Sequence, residues 1–139
     1  SDILFARRIS IATQPSIFTR GALEIVPHPV RAYNLNGRLP IYFEVYNLSP
    51  DTRGITTYTV EYKIIPHTKD KKRFWKQFGE TPPVVASKFQ HSSYGKDDIQ
   101  HITVNTDNLS SGSYDFLITL TDDLTGEIAF KKGTFSLID

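Results

Sequence analysis

Four histidines, at positions 28, 67, 91 and 101, are the imidazoles available to this chain, and no two stand at the close spacing of a zinc site. His91 and His101 flank a polar stretch containing Asp97 and Asp98, so a hairpin there would bring imidazoles and carboxylates together. A specific transition-metal site needs three or four converging ligands, so the pattern reads as solvated hairpin residues and not as a metal site. Asp122, Asp123 and Glu127 offer oxygens for calcium, but the EF-hand spacing is absent and turn preference explains an Asp-rich loop ending in Gly126. Ser110, Ser111 and Ser113 surround Gly112 without the strand-turn-helix context of a nucleophile elbow. The eight glycines are dispersed singly and build no phosphate cradle. With zero cysteines, disulfides, thiol catalysis and Cys-ligated metals are excluded. No nucleophile, base and orienter assemble, so the sequence reads as a non-enzyme with no cofactor and no metal.

Two clusters remain as candidate binding sites. Tyr42, Glu44 and Tyr46 alternate with Ile41, Phe43 and Val45, so a strand that buries the second set turns the first set the other way. Two tyrosines about 6.8 Å apart along a strand suit stacking on a sugar chain or anchoring a protein partner. They also suit packing beneath a loop or beneath the first two strands. The second cluster is Lys71, Lys72 and Arg73 beside Trp75, the single tryptophan, with Phe74 and Phe78 nearby. It has the composition of a single-strand nucleic-acid contact. A net charge of +1 and the lack of a second basic patch favour aromatics that cap the sandwich and charges that face water, with no nucleic-acid partner.

The elements that position these residues follow from composition and period. A chain of 139 residues fits one domain, spanning 1–139, with an entry segment of edge strands over 1–35 and a main body over 39–139. Val, Ile, Thr, Tyr, Phe and Trp number 52, against 16 for Ala, Leu and Met, which favours strands over helices. No apolar run approaches the roughly 18 residues of a membrane helix, so no membrane insertion is expected. The chain begins Ser1-Asp2, lacks methionine and shows no targeting segment, which reads as a processed or excised fragment.

Period-2 alternation marks about eight strands. Residues 3–11 and 23–26 read as edge strands. The best-patterned strands are 39–47 and 56–65, the latter with Tyr58, Val60, Tyr62 and Ile64 on one face. Strands at 84–89 and 100–105 frame a polar turn. Leu109-x-x-Gly112-x-Tyr114 predicts a corner in which the Tyr114 hydroxyl returns to the backbone near Leu109. Ile128 and Phe130 are out of phase with Phe135 and Leu137, which predicts a bulge at Lys132-Gly133. Short strands without crossover helices define an all-β, antiparallel immunoglobulin-like or fibronectin-III-like sandwich of about 7–9 strands.

The segment Tyr42-Phe43-Glu44-Val45-Tyr46-Asn47-Leu48, then Tyr58, Val60 and Tyr62, then Leu109, Gly112, Tyr114 and Asp122 to Gly126 resemble the C-terminal β-sandwich region of bacterial GWxTD-domain proteins. Leu23, Ile25, Pro27 and Pro29 are similar to the entry of that region, while the GWxTD signature itself is absent. The resemblance implies an exported bacterial protein, extracytoplasmic in location, and supplies no catalytic residues. The combined reading is a non-enzymatic interaction module that contacts a protein partner or an adjacent domain. A carbohydrate-binding module is the alternative, and a glycan its partner.

Overall fold

The computed structural model describes residues 3–14, 16, 19–20, 23–28, 30–35, 37–67 and 84–139. Among them are ten strands and no helix: β1 Leu4–Ile11, β2 Thr19–Arg20, β3 Leu23–Pro27, β4 Ala32–Asn34, β5 Arg38–Val45, β6 Ile55–Pro66, β7 Val85–Tyr94, β8 Asp98–Asn105, β9 Gly112–Asp122 and β10 Ile128–Ile138. They form two five-stranded sheets, ordered β2-β3-β1-β5-β8 and β4-β10-β9-β6-β7. The described residues are therefore all-β, in two sheets that share a core. Beyond the eight alternating segments, the structure adds β2 and β4, which are too short to show a period.

Alternation selects the inner face of each sheet. Ile41, Phe43 and Val45 of β5 meet Tyr58, Val60 and Ile64 of β6 and Tyr114, Phe116 and Ile118 of β9 in one buried cluster. Tyr62 is half-buried and stacks on Phe116, with ring centroids 5.3 Å apart. A smaller cluster of Ala6, Ile25 and Tyr42 closes the other face of the first sheet, with Leu4, Ile9 and Leu23 packed around it.

Four expectations change. Neither β1 nor β3 is an edge strand, because β1 lies between β3 and β5 and β3 lies between β2 and β1. β4 runs parallel to β10 through Ala32, Tyr33 and Asn34, so the sheets are not wholly antiparallel. β10 has no bulge at Lys132-Gly133, because its register with β9 is unbroken from Ile128 opposite Thr121 to Leu137 opposite Gly112. Phe135 and Leu137 face the core, whereas Ile128 and Phe130 stand on the outer face at 56% and 54% exposure. Exposed apolar side chains are common enough to need no register shift. Finally, β7 and β8 do not form a hairpin: β7 pairs with β6 and β8 with β5, so the turn between them crosses from one sheet to the other.

The corner forms as its spacing predicts, since the Tyr114 hydroxyl donates to the Ser110 carbonyl at 2.7 Å while its ring stacks on Phe135. Tyr114→Phe keeps the ring and deletes that bond. The expected loss in unfolding free energy is ~1 kcal/mol, rising towards ~3 if the Ser110 carbonyl finds no other donor. An unchanged denaturation midpoint would mean that the hydroxyl contributes nothing.

Candidate functional site

The site lies at the end of the sandwich where β5 leaves the first sheet. Its exit is set by Asn47, which adopts φ 61°, a left-handed conformation that Asn tolerates better than most residues. Three backbone donors then tether the departing chain: Asn47 to Asp97 Oδ1 at 3.3 Å, Leu48 to the Lys96 carbonyl at 2.8 Å, and Ser49 to Asp122 Oδ2 at 2.8 Å. The β7–β8 connection and the end of β9 therefore position the end of β5.

Within this frame the carboxylate of Glu44 holds both tyrosines. The Tyr42 hydroxyl donates to Glu44 Oε1 at 2.7 Å, and the Tyr46 hydroxyl donates to Oε2. The rings have different fates. Tyr46 is 49% exposed, but Tyr42 is 4% exposed and belongs to the small cluster with Ala6 and Ile25. The expected open pair of tyrosines is thus corrected to a single ring. Leu4 lies opposite Tyr42 in the β1–β5 ladder, and the apolar side chains of β1 and β3 pack around its ring. Glu44 and Tyr46 border two hollows, a cleft of about 290 Å³ that reaches Leu48, Leu120 and Ala129, and a shallower one of about 310 Å³ bounded by Asp97, Asp98 and Ile99.

Beneath the cleft lies a polar cluster that sequence reasoning missed. The Tyr58 hydroxyl donates to Asp98 Oδ2 at 2.6 Å and accepts from Gln100 Nε2 at 2.9 Å, while His91 Nε2 lies 3.3 Å from the same Asp98 oxygen. Tyr58 and Asp98 are far apart in sequence, and nothing in their local pattern announces the contact. Burial, reinforced by the hydrogen bond to Asp98, raises the Tyr58 phenol well above its ordinary value, and Gln100 opposes the shift. Burial likewise raises Tyr33, whose hydroxyl donates to the Ala6 carbonyl at 2.7 Å, with Arg31 opposing. An unfolded chain ionises both near 10.0, so stability falls as pH rises through that value. Following phenolate absorbance should show Tyr33 and Tyr58 ionising only with unfolding. Ionisation of Tyr33 and Tyr58 near 10.0 in the folded protein would refute this.

His91 and His101 do not converge. His91 packs on Tyr58 at 5.6 Å between ring centroids, whereas His101 lies opposite Tyr42 in the β5–β8 ladder. Among the described residues, no three His, Asp or Glu side chains gather to hold a metal ion. Asp122 accepts from the Leu124 N–H at 3.0 Å as well as from Ser49, and Asp123 takes the Thr59 hydroxyl and the Gln90 amide. Lys71, Lys72, Arg73 and Trp75 lie outside the described residues. Among the described residues, no helix is long and apolar enough to cross a membrane. No protein-family model matches the chain, and no curated protein matches it.

Proposed function

We propose that the domain is a non-enzymatic, immunoglobulin-like or fibronectin-III-like interaction module of a larger exported bacterial protein, similar to the sandwich flanking the GWxTD signature. Its partner is a protein or an adjacent domain of the same polypeptide, and the contact is at Glu44 and Tyr46. The order β10-β9-β6-β7 opposite the pair β5-β8, with Tyr114 at the start of β9, supports that fold type, since a tyrosine corner opens strand F of such sandwiches. The observation that carries the function is Tyr46, a half-exposed ring steered by Glu44 between two hollows. A rigid apolar ring with a polar tip is the type of side chain that anchors interfaces. With Tyr42 buried, the two-ring platform of a glycan site is lost, and this favours a protein over a carbohydrate.

The test pairs a glycan array with capture of envelope proteins on the immobilised chain. Tyr46→Ala should weaken the captured complex by about 2 kcal/mol, roughly 30-fold, with shallow salt dependence. Lys71→Ala with Lys72→Ala should leave it intact, since a basic-loop contact would lose affinity steeply with salt. Tyr46-dependent binding to one glycan class would establish the carbohydrate reading instead. Normal capture by Tyr46→Ala would remove the site.

A further inference from the structure

We infer that β7 is a self-association edge, through which two copies of this chain join antiparallel into one continuous sheet. The terminal strands of the two sheets are β2 and β8, and β4 and β7. β7 is the longest of them, with ten residues against two, eight and three. Among the described residues it is hydrogen-bonded on one side only, to β6, in a register that runs unbroken from Ile55 opposite Tyr94 to Ile64 opposite Val85. The Gly95 N–H donates to the Gly54 carbonyl at 3.2 Å, extending this ladder by one hydrogen-bonded pair. Because such pairs recur every second residue, Ala86, Lys88, Gln90, Ser92 and Tyr94 direct their backbone N–H and C=O groups to the open side.

Edge strands are usually protected by proline, bulges, brevity or several charges. β7 contains no proline, no bulge and one charged side chain, Lys88. That composition selects its own partner. When two copies pair about a two-fold axis through Gln90, every opposed pair has the same parity, so both core faces stay on the same side of the sheet. Lys88 then lies opposite the partner's Ser92, and Ala86 opposite the partner's Tyr94. No like charges meet, and the strand overlaps over nine of its ten residues, Ala86 to Tyr94. The same operation on β8 would centre on His101 and oppose it to its own copy.

Sedimentation velocity over a concentration series tests the inference on the full chain. The mass should rise from 15.8 kDa towards twice that value. Lys88→Pro removes an N–H directed to the open side and leaves the bonds to β6 in place, so it should fold normally by circular dichroism. Loss of two symmetry-related bonds should weaken the dimer by roughly 30-fold. If Lys88→Pro fails to fold, Gln90→Lys carries the test by placing two ammonium groups on the axis. The chain has no cysteine, so register can be read directly. Gln90→Cys should cross-link on mild oxidation, since opposed Cα atoms of a hydrogen-bonded pair lie about 5.5 Å apart, and Ser92→Cys should not. A mass fixed at 15.8 kDa at every concentration would overturn the inference. So would equal cross-linking of both cysteine variants, or a folded Lys88→Pro that dimerises like the parent. Tyr46→Ala should leave the dimer unchanged, which separates this edge from the proposed partner site.

Discussion

Replacing Asp115 with alanine should lower the unfolding free energy by about 3 kcal/mol, the largest loss expected from any polar substitution described above. Asp115 lies on the outer phase of β9, yet its carboxylate has no exposed surface. A charge so placed persists only when it is fully paired. His67 Nδ1 donates to Oδ1 at 2.7 Å, the Thr134 hydroxyl to the same oxygen at 2.8 Å, and Lys132 Nζ lies 3.5 Å from Oδ2. Removing one member of a buried charge network commonly costs about 3–5 kcal/mol. Here the lower end applies, because the His67 and Lys132 side chains keep 28% and 23% of their exposure and can turn to water. Asp115→Asn keeps the shape and an acceptor oxygen, so it should lose about half as much. Chemical denaturation of the three proteins measures both effects. A loss below ~1 kcal/mol for Asp115→Ala would show that the network is a consequence of the fold and not a support for it.

Gly133→Ala should destabilise by about 1–3 kcal/mol through overpacking alone. Gly133 occupies the core-facing phase of β10, where a Cβ would fall 2.4 Å from Phe5 Cε2 and 2.8 Å from Cζ. The ring cannot swing aside without cost. Phe5 is 2% exposed, meets Phe116 edge-on at 6.5 Å and Phe135 at 5.8 Å, and lies beneath the Arg31 guanidinium at 5.3 Å. Space, and not backbone conformation, therefore requires glycine here. Phe5→Leu in the Gly133→Ala background should recover part of the loss, and the two changes should be strongly non-additive. If Gly133→Ala melts with the parent, the ring moves more freely than its contacts indicate.

The inner faces of β5 and β6 are legible residue by residue, because alternation has a period of two and a sheet with one buried face leaves little choice of side. The corner at Tyr114 and the loop at Asp122 to Gly126 are legible for a related reason: both are local motifs whose bonds close within a few residues. Where a strand goes next is a different matter. β7 and β8 are joined by three residues, yet they enter different sheets, because pairing follows burial across the whole molecule and not proximity along the chain. For the same reason Tyr42 and Tyr46, identical in type and phase, separate into a buried and an exposed ring: β1 and β3 pack against only one of them. Asp115 shows this limit most clearly. A lone carboxylate in Tyr114-Asp115-Phe116-Leu117 reads as an outward, solvated position, and only the arrival of His67 from β6's end and of Lys132 and Thr134 from β10 turns it into a buried charge. The sequence alone determined the class of fold and which faces of β5, β6 and β9 are apolar, since both depend on period and composition. Tertiary structure decided which outward residues remain outward, because that depends on what the rest of the chain lays over them.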